Sequence, residues 1–450
     1  MNTGQKTFYT ILFFGITTTF LMLSIVYYNG KNTLTLILKD SLTAIRTAKK
    51  LQIETYFNQI QNQCETFAQD FMIINAMKEF KEAFESLNNG TDNDQLNMQK
   101  KTLSNYYDNE FLARLNPHLS IKKNAEQFMP EKSASVLLQN VYIAENPNPT
   151  GQKDKLTDAP KAGSYNEVHT KYHPYLRNFL EKFKYYDVFL IDHVSGVVLY
   201  TVFKEIDFAN NLFTTELKKS NLAQLIKQIS QAEKPLHATI IDYNFYDPSY
   251  AAPAAFIATP IYENDIQIGV LAFQMPTDQI NLYMTDDKEW GKTGFGKTGE
   301  AYLIGNDFSM RSISRFLIQN RKNYLQQLKN EKTDSLVIKN IETFDTTILL
   351  QRVNTKSARK ALKGKTGEIE TKDYRGLKVL SAFAPLKIKG LNWAILVEKD
   401  KSEILSSLYR LMIIIGFWNI LILLTLIFTA FLFTRYIFST KKIKDSKPKH

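Results

Sequence analysis

The residues whose types and spacing promise most chemistry lie between Trp290 and Phe316, WGKTGFGKTGEAYLIGNDFSMRSISRF. Gly291, Gly296, Lys297 and Thr298 satisfy G-x-x-x-x-G-K-[ST], a phosphate-binding loop. Gly294, Gly296 and Gly299 satisfy G-x-G-x-x-G, a dinucleotide fingerprint. Both motifs need an apolar strand before the glycines and a helix after them, so that N–H groups and the helix dipole meet phosphate. Here the order is reversed. Thr285 to Glu289 is polar and acidic, and Ala301 to Ile304 reads as a strand that ends in the turn Gly305-Asn306-Asp307. GKTGE recurs at Gly364 to Glu368, again ahead of a strand-like run, so both copies read as turns leading into sheets.

Four residues just downstream, Arg311, Ser312, Ser314 and Arg315, offer an anion site, since Arg presents a planar fork to carboxylate or phosphate. The preferred alternative is a structural knot joining sheet to helix, with Ser as the N-cap. A second set surrounds the loop YDPSY: Tyr246, Ser249 and Tyr250, with Asp242 entering the loop and Lys204 and Asp207 upstream. A pocket needs an apolar wall and a few converging polar groups. A Lys and an Asp would hold the carboxylate and the ammonium of a zwitterion by charge-assisted bonds. The competing reading is a Pro-set turn whose Tyr rings cap a sheet, with Lys204 and Asp207 as a surface pair of little worth. Catalysis has no support: Ser195 and Ser249 lack a nucleophile-elbow context, and no His neighbours a recognisable Ser or Cys partner. Asp286-Asp287 reads as solvated and Trp393 as core. The six histidines show no metal-ligand spacing, so neither metal nor cofactor is expected.

These residues sit in a chain of 450 with 30 Phe, 23 Tyr and 44% hydrophobic content, which excludes a disordered polymer and leaves room for two or three domains. The formal net charge of +11 is spread along the length and is densest in the last ten residues. It reads as solvated surface plus a topology signal, and no nucleic-acid partner is expected. The single cysteine, Cys64, permits no intrachain disulfide and reads as a buried small hydrophobe.

The elements that must position the candidates follow from periodicity. Phe8 to Tyr28 is uncharged and long enough to span a bilayer, and Tyr27-Tyr28-Asn29-Gly30-Lys31 is a poor cleavage site, so a retained anchor is preferred to a signal peptide. Leu411 to Phe433 is a second span, followed by a basic tail that belongs in the cytoplasm. From Leu34 to Leu87 apolar residues recur at steps of three and four, as one long helix requires. Its stripe is core by default, or a seam that pairs with its copy in a dimer. Asn88 to Asn93 breaks the helix, Gln95 to Leu115 is helical, and Pro147 to Gly163 is a loop.

Two similar units follow. The first has a hairpin (Asp187 to Ile191, Val197 to Phe203), a helix (Ser220 to Ala232), three strands (Ala238 to Ile241, Ala254 to Ile261, Ile268 to Phe273) and an exit helix (Asp278 to Met284). The second repeats the order. It has a hairpin from Ala301 to Met310, helices at Arg315 to Leu328 and Thr355 to Leu362, and strands at Glu368 to Thr371, Lys378 to Pro385 and Trp393 to Val397. Its exit helix is Lys401 to Tyr409. This predicts an α+β fold: PAS-like antiparallel sheets, each with helices on one face.

From about Tyr165 to Lys399 the chain resembles the double-Cache sensor domains of bacterial chemoreceptors, sensor kinases and cyclase-type receptors. The stretches that carry the resemblance are YYDVFLIDHVSGVVLYTVFKEIDF, YDPSYAAPAAFIATPIYENDIQIGVLAFQMPTDQIN, GKTGEAYLIGNDFSMRSISRF and LKVLSAFAPLKIKGLNWAILVEKDKSEIL. It departs from the family at Ile313, where Asp or Asn is expected, and the Arg-x-Trp-like segment of the amino-acid-binding subfamily has no counterpart.

The resemblance implies a two-pass protein of the bacterial inner membrane, with both termini cytoplasmic and the large domain extracytoplasmic. The expected layout is cytoplasmic 1–7, transmembrane 8–28, stalk helix and lead-in 31–164, membrane-distal Cache module 165–289 and membrane-proximal module 290–400. An exit helix 401–410, transmembrane 411–433 and basic tail 434–450 complete it. The distal module would bind a small molecule (amino acid, organic acid or amine), and the signal would leave through the second transmembrane helix. No kinase, cyclase or methyl-accepting segment follows it in this sequence, so the expectation is a sensor that acts through a separate cytoplasmic signalling partner, as a homodimer through the N-terminal helix. The alternative is a membrane-anchored Cache-fold scaffold that binds another protein or envelope component.

Overall fold

The structure is a computed structural model that describes residues 3–88, 93–232 and 237–445. The first apolar run and the striped run after it form one helix, α1 (Thr3–Ala68), about 99 Å long at 1.5 Å per residue. Leu42, Ile53, Ile60, Cys64 and Phe67 of the stripe are buried, so in the single chain the stripe is core. The helix does not run on to Leu87. Asp70 is extended (φ −65, ψ 131), and its carboxylate accepts the Met72 N–H to cap a second helix, α2 (Phe71–Ser86). The expected break after it falls mostly outside the described residues. The lead-in holds α3 (Asn93–Tyr106), α4 (Leu112–Leu115), α5 (Ser133–Gln139) and α6 (Ser164–Phe183).

The first module contains β1 (Asp187–Ile191), β2 (Val198–Thr201), α7 (Asn221–Ser230), β3 (Thr239–Tyr246), β4 (Ala252–Glu263), β5 (Ile266–Gln274) and α8 (Thr277–Thr285). Its antiparallel sheet has the order β2-β1-β5-β4-β3. Both faces of this sheet are covered, not one. Val188, Leu190, Leu271 and Phe273 pack toward α1 and α6. Phe189, Ile191, Phe256 and Ala272 pack with Leu222, Leu225 and Ile226 of α7 and with Phe111 and Phe128 of the lead-in. Burial on both faces is why β1 after Asp187 and β2 before Thr201 run apolar instead of alternating.

The second module contains β6 (Glu300–Ile304), α9 (Arg315–Gln319), α10 (Arg321–Asn330), α11 (Ser335–Phe344), α12 (Lys356–Leu362), β7 (Gly367–Lys372), β8 (Lys378–Pro385) and β9 (Ala394–Asp400). Its sheet order is β6-β9-β8-β7. Both GKTGE segments lead directly into strands, β6 and β7. Two local expectations fail. Phe308 to Met310 makes two isolated bridges (Ile304 with Met310, Ser309 with Arg352) and no strand, because Phe308 sits at φ +65 and turns the chain out of the ladder. The helix expected over Arg315 to Leu328 breaks at Asn320 (φ −152, ψ 72), whose side chain accepts the Asn323 N–H and caps α10.

The long helix α13 (Lys401–Asp445) leaves the second sheet. It and α1 each hold a stretch long and apolar enough to cross a membrane. Gly15 and Gly30 of α1 lie where a Cβ would strike Leu423 and Leu408 of α13, so the two helices approach at small residues. The observed α+β architecture, a long N-terminal helix carrying two tandem antiparallel-sheet modules, is the one the double-Cache resemblance implied.

Candidate ligand-binding site

The loop after β2 is held from behind by buried amides. The Gln139 Nε2 donates to the carbonyls of Ile206 (2.9 Å) and Phe208 (2.7 Å), and the Asn210 Nδ2 donates to the Phe128 carbonyl (2.8 Å). This fixes which way successive side chains point. Lys204, at φ +59, turns into the core, where its ammonium lies over the rings of Tyr200 (4.1 Å), Phe208 (4.9 Å) and Tyr142 (5.8 Å) and donates to the Thr201 carbonyl. Burial holds its pKa below the usual lysine range, against the attraction of Asp187. Asp207 is also buried and accepts the Tyr246 hydroxyl proton at 2.6 Å. Lys204 and Asp207 are therefore neither a surface pair nor a zwitterion clamp; both are internal.

Glu205, between them, points outward into a cavity of about 360 Å³. Asp187, Ser249 and Gln274 share it, and Tyr186, Phe203 and Pro253 supply much of its apolar wall. The Gln274 Nε2 donates to the Ser249 Oγ (3.3 Å), whose hydroxyl donates to the Glu205 Oε2 (3.1 Å). The Asp187 Oδ1 accepts the N–H groups of Val188 (2.7 Å), Val202 (2.8 Å) and Phe203 (3.3 Å), which tie the carboxylate to the end of β2 and the loop after it. Burial, reinforced by Asp207, raises the pKa of both Asp187 and Glu205 above the usual carboxylate range. Among the described residues, no Lys, Arg or His lines the cavity. The site presents two carboxylates, the hydroxyl residues Ser249, Thr277 and Thr346, and an amide beside aromatic surface, which is the complement of an ammonium group.

Of the six residues expected here, only Ser249 lines the cavity. Tyr250 packs at 6.0 Å from Phe111, and Tyr246 is inside the core. Asp242 lies elsewhere, in a forked pair with Arg311: Nε to Oδ1 at 2.9 Å and Nη2 to Oδ2 at 3.0 Å. Asp307 and the Ser309 carbonyl take further Arg311 donors, each at 3.0 Å. Arg311 thus binds an anion, but that anion is the protein's own carboxylate from the first module. Arg315 donates to the carbonyls of Gly299 and Gly296 and stacks over Trp290 at 4.8 Å, pinning the glycine loop. The Ser312 Oγ accepts the Leu303 N–H at 3.0 Å, and Ser314 caps α9. These contacts engage the Arg311 guanidinium and both terminal nitrogens of Arg315, and leave the Arg315 Nε buried without a hydrogen-bond partner among the described residues.

The glycine loop holds an internal anion as well. The N–H groups of Lys297 (3.2 Å) and Thr298 (2.8 Å) and the Thr298 hydroxyl (2.6 Å) donate to the Glu403 carboxylate in the first turn of α13. These bonds hold the Glu403 pKa below the usual range, outweighing partial burial.

Sequence reasoning missed Asp187, Glu205 and Gln274. One signal for Asp187 was present, a carboxylate opening an otherwise apolar strand in YYDVFLI. Glu205 carried no signal, because only the loop's backbone decides which of Lys204, Glu205 and Asp207 faces outward.

No family model and no curated protein matches the chain. Among solved structures, it is similar to the ligand-binding domain of the Campylobacter jejuni chemoreceptor Tlp3 in complex with 4-methylisoleucine. That match has 11% identity over 75% of this chain and 96% of that one, with a TM-score of 0.31. It is also similar to the ligand-binding domain of the Pseudomonas aeruginosa PAO1 amino acid chemoreceptor PctB in complex with L-Gln (13% identity, 68% of this chain, 89% of that one, TM-score 0.30). A third is the ligand-binding domain of the Pseudomonas fluorescens chemoreceptor CtaA in complex with L-serine (12%, 68% and 94%, TM-score 0.30). At these scores no residue or ligand is carried over from them.

Proposed function

We propose that this chain is a two-pass membrane sensor whose first module binds a small organic cation, an amine, in the cavity between Asp187 and Glu205. The observation that carries the reading is the pairing of two inward-facing carboxylates in a cavity that no basic side chain lines among the described residues. An ammonium ligand would favour the charged forms of two carboxyls that burial otherwise disfavours, whereas a carboxylate ligand would add to the negative charge that burial already opposes. Free amino acids are the harder case, since Lys204, the nearby cation, is enclosed by aromatic rings. The two spanning stretches and the basic residues after the second support an extracytoplasmic position for both modules. Signal would leave through α13, which starts immediately after β9 and is tied to the glycine loop by Glu403, toward a cytoplasmic signalling partner. Exposed Leu36, Ile37 and Leu51 on α1 support pairing with a second copy.

A thermal-shift panel on the full chain in detergent tests this reading with matched amines and organic acids. A ligand at a hundredfold its dissociation constant adds about 2.7 kcal/mol to stability. Amines are expected to raise the midpoint and organic acids to leave it unmoved. A shift with acids alone would refute the proposed ligand class.

A further inference from the structure

The cavity described above is not closed by its own module. Phe344, Thr346 and Ile348 line it, and all three belong to the second module, at the end of α11 and in the turn that follows. This excursion is clamped to the first module's lead-in. The Asn340 side chain meets His118 twice, Oδ1 to the ring Nδ1 at 3.0 Å and Nδ2 to the carbonyl at 3.2 Å. The Lys339 ammonium donates to the Pro117 carbonyl at 3.1 Å, and the Phe344 ring lies 4.5 Å from the His118 ring. On the other side the turn is tied to its own sheet. The Thr347 hydroxyl donates to the Ser312 carbonyl (3.1 Å) and accepts the Ser314 N–H (2.8 Å), and the Leu349 N–H donates to the Met310 carbonyl (2.9 Å). Asp345 and Leu349, at φ +49 and +63, bracket the turn in a conformation that neither residue favours alone.

We infer that α11 and the Asp345–Leu349 turn form a lid, contributed by the second module, whose Phe344, Thr346 and Ile348 contact the ligand bound in the first. The carboxylates fix the ammonium; the lid's apolar side chains meet the rest of the molecule and set how long it can be. The ligand is then held by both modules at once. Its occupancy favours the arrangement in which they are clamped together, and it does so only by its differential affinity for that arrangement. The identity of the ligand rests on the amine reading; the lid itself does not.

The test uses the full chain in nanodiscs with Ala252→Cys as a reporter, since Ala252 lines the cavity and the native Cys64 is fully buried. Modification of the introduced thiol is timed with a small methanethiosulfonate and with a bulky fluorescein maleimide, in the reporter alone and combined with Phe344→Ala or Asn340→Ala. Phe344→Ala removes part of the lid, and Asn340→Ala removes its clamp. The lid predicts a bulky-reagent rate at least about fivefold faster in both combined variants, with the small-reagent rate changed less than about twofold. Equal bulky-reagent rates in all three proteins would overturn it. A parallel arm adds butane-1,4-diamine or ethylammonium before the reagent. Slower labelling with amine supports the ligand class. Unslowed labelling alongside a lid-dependent bulky rate would sink the amine assignment and leave the lid standing.

Discussion

Asp187 is the residue on which the ligand account turns. It accepts three backbone N–H groups, which favours its charge, yet burial beside Asp207 opposes that charge more strongly and its pKa is raised. An ammonium ligand binds the ionised form, so binding must displace protons from Asp187 and Glu205. Affinity for a permanently charged amine should therefore rise between about pH 5 and about pH 8, with proton release measurable by titration in buffers of different ionisation enthalpy. Asp187→Asn should weaken binding about 10- to 100-fold, since a hydrogen bond to a charged group contributes about 1.5–3 kcal/mol. An unchanged dissociation constant would remove Asp187 from the site. At this scale the sequence was least legible. It pointed to the right loops, YDPSY and the turn after β2, but chose Lys204, Asp207 and Tyr246, which the backbone turns inward. Polar side chains close together in sequence look alike until the φ of +59 at Lys204 separates those facing the core from Glu205 facing the cavity.

Among elements, the second sheet carries a device with a pH signature. Glu300 of β6 and Glu398 of β9 are register partners and both are buried. Glu300 accepts from Ser314 and Tyr374, and Glu398 from Tyr302, each within 2.8 Å. Burial outweighs these bonds and pushes both carboxyls up to about 7. A folded-state pKa above the unfolded value means that the native state binds more protons. Each group's contribution is thus full below the usual carboxylate range and is lost as pH rises toward about 7. Glu398→Gln should therefore gain stability relative to wild type as pH rises from about 5 to about 8, read as the difference between the two unfolding midpoints. A difference independent of pH would contradict the buried-carboxyl account. The Glu403 latch makes a separate prediction: Glu403→Ala should speed amide exchange at Thr298 without altering ligand affinity. The two sheets, their exit helices and both GKTGE turns were legible because strand patterning and glycine turns are local signals. The breaks at Asp70 and Asn320 and the helix α11 were not. Each break is made by one capping side chain within an otherwise helical pattern, and α11 buries only Ile338, Asn340 and Ile341, against α9, α10 and the lead-in.

For the whole molecule, the central contact is between modules. Arg311, whose guanidinium is nearly fully buried, holds Asp242 in a fork. Trp393 stacks on Tyr243 at 5.8 Å and meets Phe57 of α1 edge-on at 5.4 Å. One continuous cluster of buried side chains thus joins α1 to both sheets. Arg311→Lys keeps the charge but loses the fork, and should destabilise the chain by about 1–3 kcal/mol in chemical denaturation. Asp242→Asn on that background should add less than it does alone, as coupled partners require. Sequence assigned both residues to binding sites and both do bind an ion, each other; pairing between residues so far apart in the chain leaves no local trace.

The most direct measurement is calorimetric titration of the full chain in nanodiscs with a panel of amines and their carboxylate analogues, on wild type, Asp187→Asn and Glu205→Gln. The account predicts one amine site per chain, weakened by either substitution, and no heat of binding from the carboxylates. Saturable carboxylate binding, or amine binding indifferent to both substitutions, would contradict it.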